Sequence, residues 1–220
     1  MLKYSFLNKL TNTITSMHMD DKVKAQIINE VYKKPRDRKP AILDLILDPA
    51  FNIDNFVVYE SQINKYCIIG IRGTASFSDV ITDVRLVIQQ LTNINVMDIG
   101  GRFRKIQELV LKVYNKYHPQ GYTLTLAGHS LSGYEVMRLE KKNPDRYSYN
   151  TAFNAGSVPI SLISEEDNIH NKIPDDVVHI RNPLDPISLG FMDDPNTLNL
   201  YNTKLSILNP IRNHGIEYFL

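Results

Sequence analysis

One stretch of the sequence constrains the fold most, because a strand there turns directly into a helix. Apolar and polar side chains alternate over residues 121–127, which predicts a β-strand. Residues 131–142 have helical spacing and precede Asn143-Pro144, so the predicted helix ends there. The connection between them is the short segment Gly128-His129-Ser130-Leu131-Ser132-Gly133. Such a unit is typical of a parallel sheet with crossover helices.

Further strands and helices flank this unit. Residues 55–60 and 66–72 read as two strands joined by the polar turn 61–65, which predicts a hairpin. Residues 147–153 and 177–181 read as later strands. Helical spacing indicates a helix through Phe103, Ile106, Val110, Val113, Tyr114 and Tyr117. We therefore predict an α/β fold with a mainly parallel central sheet flanked by helices.

The N-terminal part of the chain has a weaker pattern. Helical spacing within residues 1–50 involves Val23, Ile27, Ile28 and Val31, and Pro35 and Pro40 then interrupt it. We expect residues 1–50 to form a mainly helical N-terminal part. With 220 residues, the whole chain 1–220 is predicted to be a single domain.

Composition excludes some classes of partner. The net charge of +1 argues against nucleic acid binding, and the basic residues 33–39 are expected to form a solvated loop. The single cysteine, Cys67, lies in an apolar run and is expected in the core. Residues 1–15 lack a signal-peptide pattern, and no run has the roughly 20 apolar residues of a membrane span. A cytoplasmic protein is expected.

The connecting turn suits a serine nucleophile. A serine at the end of a parallel strand projects Oγ above the sheet, and the following helix directs N–H groups at a reacting carbonyl. Gly128 leaves room for this turn, but Ser132 stands where the G-x-S-x-G pattern has its second glycine. Helix capping is the alternative role for such a serine. We predict that Ser130 is the nucleophile.

A serine nucleophile needs a base, usually a histidine oriented by a carboxylate. Downstream of Ser130 the histidines are His170, His179 and His214. His179 lies inside an apolar strand, which favours a structural role, and His170 lies in a polar stretch that indicates a surface loop. His214 is in a loop beside a glycine and is predicted to be the base.

The carboxylate is predicted to be Asp185, which follows the strand 177–181. Loops at the carboxyl ends of parallel strands are where such sheets place catalytic groups. Four other acidic residues are the alternatives: two precede that strand and two resemble turn residues, namely Asp175, Asp176, Asp193 and Asp194.

An oxyanion hole requires preorganised N–H donors. One predicted donor is the backbone N–H of Leu131, and the other is Thr74, through its N–H and its hydroxyl. Thr74 follows the strand 66–72, and Gly73 before it allows the backbone to approach closely. Helix capping by Thr74 is the alternative.

Four segments in this order resemble the class 3 lipases, the fungal triacylglycerol lipase type of the α/β-hydrolase superfamily. They carry the oxyanion, nucleophile, acid and histidine motifs. These are Ile71-Arg72-Gly73-Thr74 with Ser76, Asp79 and Asp83; Leu126-Ala127-Gly128-His129-Ser130-Leu131; Asn182, Asp185 and Ile187; and His214-Gly215-Ile216-Glu217-Tyr218. The resemblance extends from about Val57 to Phe219.

The resemblance implies an α/β-hydrolase fold and a serine hydrolase that cleaves acylglycerols or phospholipids through an acyl-enzyme. It implies no metal or cofactor, and transient contact with a membrane or lipid-droplet surface. It also implies a lid, for which the segment 84–98, rich in apolar residues, is the candidate and a buried helix is the alternative. Two other functions stay open: an esterase or thioesterase for small esters, and a catalytically dead lipase-like binding protein.

Overall fold

A computed structural model of the protein describes residues 13–14, 19–73, 96–156, 172–185, 188, 193–200 and 214–220. The strands are β1 (Thr13–Ile14), β2 (Ala41–Ile42), β3 (Leu45–Leu47), β4 (Phe56–Ser61), β5 (Tyr66–Ile71), β6 (Thr123–His129), β7 (Asn150–Phe153), β8 (Val177–Arg181) and β9 (Thr197–Leu200). The α-helices are α1 (Met19–Val31), α2 (Val96–Tyr117) and α3 (Leu131–Lys142). Short 3-10 helices cover Pro35–Asp37, Pro49–Phe51, His118–Gln120 and Ile216–Phe219.

The described strands form one sheet in the order β1-β9-β8-β7-β6-β5-β4-β3-β2. From β5 to β9 every neighbouring pair is parallel, and β1 pairs parallel with β9. The strands β2, β3, β4 and β5 pair antiparallel at the other side. The chain therefore has the predicted α/β-hydrolase class of fold, in which a mainly parallel sheet is flanked by helices.

Strand limits decide where the turn around Ser130 lies. The predicted hairpin is confirmed, because β4 and β5 pair antiparallel from Phe56 with Ile71 to Ser61 with Tyr66. The strand β6 extends two residues beyond its predicted end, to His129, and α3 begins at Leu131. Ser130 is thus the single residue between strand and helix.

Hydrophobic residues alternate between the two faces of the sheet and form two cores. Below one face, α2 and α3 pack on residues such as Val58 and Leu126. On the other face, α1 and the C-terminal 3-10 helix pack on residues such as Tyr59 and Phe153. Cys67 is fully buried in the first core, as predicted. The sheet is therefore covered on both sides, as parallel sheets require.

The helix α1 confirms the N-terminal pattern. The four residues with helical spacing, Val23, Ile27, Ile28 and Val31, are all buried against the sheet. Between α1 and β4, however, the short strands β2 and β3 form an antiparallel hairpin, which the sequence pattern did not indicate. These strands are two and three residues long, too short to show a period.

The prediction of a solvated loop for residues 33–39 is wrong at Arg38, which is buried. Its guanidinium donates to the carbonyl oxygens of Val31 (3.0 Å), Ile53 (2.7 Å) and Asp54 (2.8 Å). Carbonyl groups in the last turn of a helix lack intrahelical donors, and Val31 ends α1. The arginine therefore satisfies the end of α1 from outside the helix.

Within the part of the chain that the structure describes, no helix combines the length and the apolar character needed to cross a membrane.

Candidate active site

Ser130, the predicted nucleophile, has a backbone conformation that side chains rarely adopt. Its φ is 61° and its ψ is −127°, a region that costs a non-glycine residue about 1–3 kcal/mol. The surroundings hold this conformation: Ser130 N donates to Phe153 O (3.0 Å), and Ser130 O accepts from Gly133 N (3.0 Å) and Gly156 N (3.1 Å). The serine is therefore fixed by the strand beside it and the helix after it.

Two glycines allow the backbone to pack closely around Ser130. A Cβ at Gly128 would collide with the backbone carbonyl of Ser132, because the strand and the helix meet there. A Cβ at Gly73 would lie 2.8 Å from the carbonyl oxygen of His129 and 3.2 Å from Ser130 Cβ. The loop after β5 thus touches the serine turn at Gly73.

Asp185 and His214 form a buried pair. His214 Nδ1 lies 3.0 Å from Asp185 Oδ2, and the two residues are 3% and 0% exposed. A carboxylate that accepts from Nδ1–H leaves the lone pair of the imidazole on Nε2, the tautomer of a general base. Asp185 follows β8 and Ser130 follows β6, so both lie at the carboxyl edge of the parallel sheet.

Asn154, which directly follows β7, joins the loops of the acid and the base. Its Nδ2 donates to the backbone oxygen of His214 (3.1 Å), and its Oδ1 accepts from Asn182 N (2.8 Å). Asn182 in turn accepts from Asp185 N through its backbone oxygen (3.0 Å). Sequence reasoning missed Asn154, although an amide immediately after a strand that neighbours β6 was an available signal.

His129, the residue before the serine, also holds the His214 segment. Its Nε2 donates to the backbone oxygen of His214 (2.6 Å), and its Nδ1 accepts from the hydroxyl of Tyr32 (2.8 Å). Burial, with a contribution from neighbouring His214, lowers the pKa of His129 to about 3, so the ring is neutral.

Tyr32 completes this chain of hydrogen bonds. It directly follows α1; its hydroxyl donates to His129 and lies so close to Gly73 that a Cβ added there would be 3.0 Å from it. Burial raises the pKa of Tyr32, which keeps the phenol protonated as that donor. The loop after β5, the serine turn and the His214 segment are therefore connected through two side chains that sequence reasoning missed.

The other candidates from the sequence have different surroundings. His179 is buried in β8, where its Nε2 accepts from Ala155 N (3.0 Å) and burial lowers its pKa to about 3. Asp175, Asp176 and Asp193 are exposed. Asp194 caps a turn, accepting from Ile173 N (2.8 Å) and Asn196 N (2.8 Å).

Several predicted features lie outside the described residues. They are Thr74, the residues Ser76, Asp79, Asp83 and Ile187 of the motifs, His170, and the candidate lid 84–98 apart from the backbone of 96–98, which begins α2. Leu131, the other predicted oxyanion donor, is the first residue of α3. Its N–H belongs to the first turn of the helix, where N–H groups have no intrahelical acceptor.

No family model matches the sequence, and no curated protein does. Similar solved structures include the Lip2 lipase of Yarrowia lipolytica (17% identity, 82% of this chain and 79% of that chain covered, TM-score 0.47). Lipase II of Rhizopus niveus is another, with 15% identity, 77% of this chain and 73% of that chain covered, and a TM-score of 0.49. The triacylglyceride lipase of Rhizomucor miehei has 14% identity, 78% of this chain and 75% of that chain covered, and a TM-score of 0.47.

Proposed function

We propose that the protein is a serine hydrolase that cleaves carboxylic esters of lipids, either acylglycerols or phospholipids, through an acyl-enzyme. The observation that carries the proposal is the buried contact of 3.0 Å between His214 Nδ1 and Asp185 Oδ2. It lies at the sheet edge where Ser130 is held at positive φ. A nucleophile on a strained turn, a base and an orienting acid are the parts that acyl transfer requires.

In the proposed mechanism, Ser130 Oγ attacks the ester carbonyl while His214 Nε2 takes its proton. Asp185 keeps the imidazole in the correct tautomer and stabilises the imidazolium. The N–H groups of Leu131 and Thr74 bind the oxyanion, and each such donor contributes about 2.7–4 kcal/mol by precedent. The alcohol leaves with the proton from His214, and a water activated by the same residue then releases the acid.

The lipid part of the proposal is supported by the resemblance of the four motif segments to class 3 lipases. Such an enzyme would contact a membrane or lipid-droplet surface transiently, and nothing in its charge favours nucleic acid. One observation favours a second candidate, an esterase for small esters: Ser130 and His214 are only 2% and 3% exposed. A large lipid would reach such a site only if residues above it moved.

The variant Ser130→Ala tests the proposed chemistry. We expect loss of p-nitrophenyl butyrate hydrolysis and of labelling by a fluorophosphonate, with the same unfolding temperature to within a few degrees. The matched control is Ser61→Ala, which removes another buried serine hydroxyl, one that donates to Asp44 (2.6 Å) at the far end of β4. Hydrolysis that survives in Ser130→Ala would refute the assignment.

Substrate class needs a separate measurement on the unmodified protein. A lipase should hydrolyse p-nitrophenyl esters of increasing chain length faster once the substrate exceeds its solubility, because an aggregate then exists to bind. A small-ester esterase should saturate below that limit and show no increase. A folded protein that neither hydrolyses any ester nor reacts with a fluorophosphonate would instead favour the catalytically dead, lipase-like binding protein.

A further inference from the structure

Ser132 stands where the usual nucleophile turn has its second glycine, and its side chain is fully buried. Its Oγ lies 2.7 Å from the backbone oxygen of Arg72 and 2.9 Å from Glu135 Oε2. A guanidinium nitrogen of Arg102 donates to the same Oγ at 2.8 Å. The hydroxyl is therefore in a polar cluster that a glycine at this position could not join.

We propose that Ser132, together with Arg102 and Glu135, is a positioning residue that holds the oxyanion segment against the nucleophile turn. This inference rests on the proposed function. We call the three side chains, with the Arg72 carbonyl that they hold, the Ser132 cluster.

The Ser132 cluster joins three elements of the fold. Arg102 belongs to α2, Ser132 and Glu135 belong to α3, and Arg72 follows β5. Arg102 Nε donates to Glu135 Oε1 (2.9 Å) and its terminal nitrogen to Glu135 Oε2 (3.1 Å), a two-pronged pair that fixes the orientation of the guanidinium. The same terminal nitrogen also donates to the backbone oxygen of Arg72.

Proton counting shows why Arg102 and Ser132 act together. A hydroxyl carries one proton, so Ser132 donates at any moment to the Arg72 carbonyl or to Glu135, but not to both. The terminal nitrogen of Arg102 carries two protons and faces three acceptors: Ser132 Oγ, the Arg72 carbonyl and Glu135 Oε2. It can donate to Ser132 Oγ and to whichever of the other two acceptors Ser132 leaves, so the Arg72 carbonyl has a donor in either arrangement. The carboxylate of Glu135 is 1% exposed, and Arg102 balances its charge.

The held carbonyl lies next to the site. Arg72 directly precedes Gly73, whose backbone is in close contact with the serine turn, and Thr74, the proposed oxyanion donor, follows. Oxyanion donors are effective only when they are preorganised, and a displacement of about 1 Å can cost about 100-fold in rate. Fixing the Arg72 carbonyl fixes the direction in which the chain enters this segment. Where a glycine would only leave space, Ser132 thus forms a direct hydrogen bond to the segment that carries the proposed donor.

The test compares Ser132→Gly and Ser132→Ala with Ser61→Ala as the matched control. Two quantities are measured: kcat and KM for p-nitrophenyl butyrate, and the inhibition constant of a trifluoromethyl ketone, whose adduct with serine carries an oxyanion. We expect kcat/KM to fall about 10- to 100-fold through kcat, with KM nearly unchanged. The inhibition constant should rise by the same factor.

A merely structural role would give a different result. Both Ser132 variants would then lose stability as Ser61→Ala does, while kcat and the inhibition constant stayed at the wild-type values, and this would overturn the inference. Arg102→Lys provides a second variant, because a single ammonium cannot make the two-pronged pair with Glu135 that orients the donor. It should lower kcat in the same way, and wild-type kcat in that variant would also count against the cluster.

The unmodified protein separates this inference from the proposed function. If it hydrolyses the ester and reacts with the ketone while the Ser132 variants do so equally well, only the inference fails. If the unmodified protein does neither, the proposed function fails and the inference fails with it.

Discussion

At the scale of single residues, the pair of His214 and Asp185 carries most of the functional argument. The carboxylate is fully buried, and the imidazole is its partner at 3.0 Å. Burial penalises the charge of a carboxylate unless a hydrogen-bonded partner offsets the cost, and His214 is such a partner. The proposed chemistry gives a reason why the protein would bear the free-energy cost of burying this carboxylate.

The variant Asp185→Asn tests the role of the acid. An amide at this position favours the wrong tautomer of His214, so we expect kcat to fall about 10⁴-fold with the fold retained. Asp176→Asn is the matched control, because Asp176 is an exposed alternative at the opposite end of β8. Ester hydrolysis of both variants would be followed at pH 8. Equal losses, or a small loss in Asp185→Asn, would contradict the role.

The sequence allowed us to predict those site residues that lie next to a recognisable strand or helix pattern. Ser130 lies between a strand pattern and a helix pattern, and Asp185 follows a strand. Tyr32 and Asn154 were missed because their contacts with His129 and His214 cross 97 and 60 positions of the chain. The prediction that Arg38 is solvated was wrong for a related reason. A run of charged residues in the sequence does not reveal which helix carbonyl groups lie near it in space.

At the scale of elements, α1 reaches the site from the opposite side of the sheet to α3. Its last turn leads into Tyr32, whose hydroxyl contacts both the loop after β5 and the ring of His129. The N-terminal helix therefore does more than cover a hydrophobic face. It supplies a hydrogen bond that connects two loops at the carboxyl edge of the sheet.

The variant Tyr32→Phe should reveal this connection. It leaves the buried His129 Nδ1 without its hydrogen-bond donor, so we expect a loss of about 1–3 kcal/mol in the free energy of unfolding. We also expect kcat/KM to fall about 10-fold, because the His214 segment loses support. Urea denaturation and ester hydrolysis measure the two effects.

Tyr59→Phe is the control for this prediction. It removes a buried hydroxyl that donates to Lys39 O (2.7 Å), away from the site, so it should lower stability without lowering kcat/KM. A Tyr32→Phe variant that behaves in the same way as this control would mean that Tyr32 only stabilises the fold.

Element types were easier to predict than element limits. The helix α3 matches its predicted range because Pro144 has no backbone N–H to continue the helix, which therefore ends before Asn143. The strand β7 begins at Asn150 rather than 147, because residues before it turn, and Tyr149 has a φ of 58°. The strands β2 and β9 carry too few residues for a period, so only pairing with neighbours defines them.

At the scale of the whole molecule, three buried ionisable groups among the described residues make the free energy of unfolding depend on pH. Burial lowers the pKa of His129 and of His179 to about 3, while histidine in an unfolded chain titrates near about 6.5. Unfolding therefore takes up two protons between these values, and stability falls as the pH falls. Glu140 has the opposite effect. Burial raises its pKa to about 7, so unfolding releases one proton over much of the pH range in which the two histidines take up protons.

These groups predict a net uptake of one proton on unfolding between about pH 5 and 6. The free energy of unfolding should then fall by about 1.4 kcal/mol per unit decrease in pH. Glu140→Gln removes the opposing group and should steepen the slope to about 2.7 kcal/mol per unit. His179→Gln should flatten it to near zero. Urea denaturation across this range gives the slopes, and an unchanged slope in both variants would disprove the account.

The order of the site residues along the chain has a consequence for biosynthesis. Ser130 and Asp185 emerge from the ribosome before His214, and the 214 segment docks on the ends of β6 and β7 through His129 and Asn154. On the proposed chemistry, a nascent chain carries its nucleophile but no base. Hydrolysis would begin only once translation had passed residue 214 and that segment had docked, so an incomplete chain could not attack the lipids of the cell that makes it.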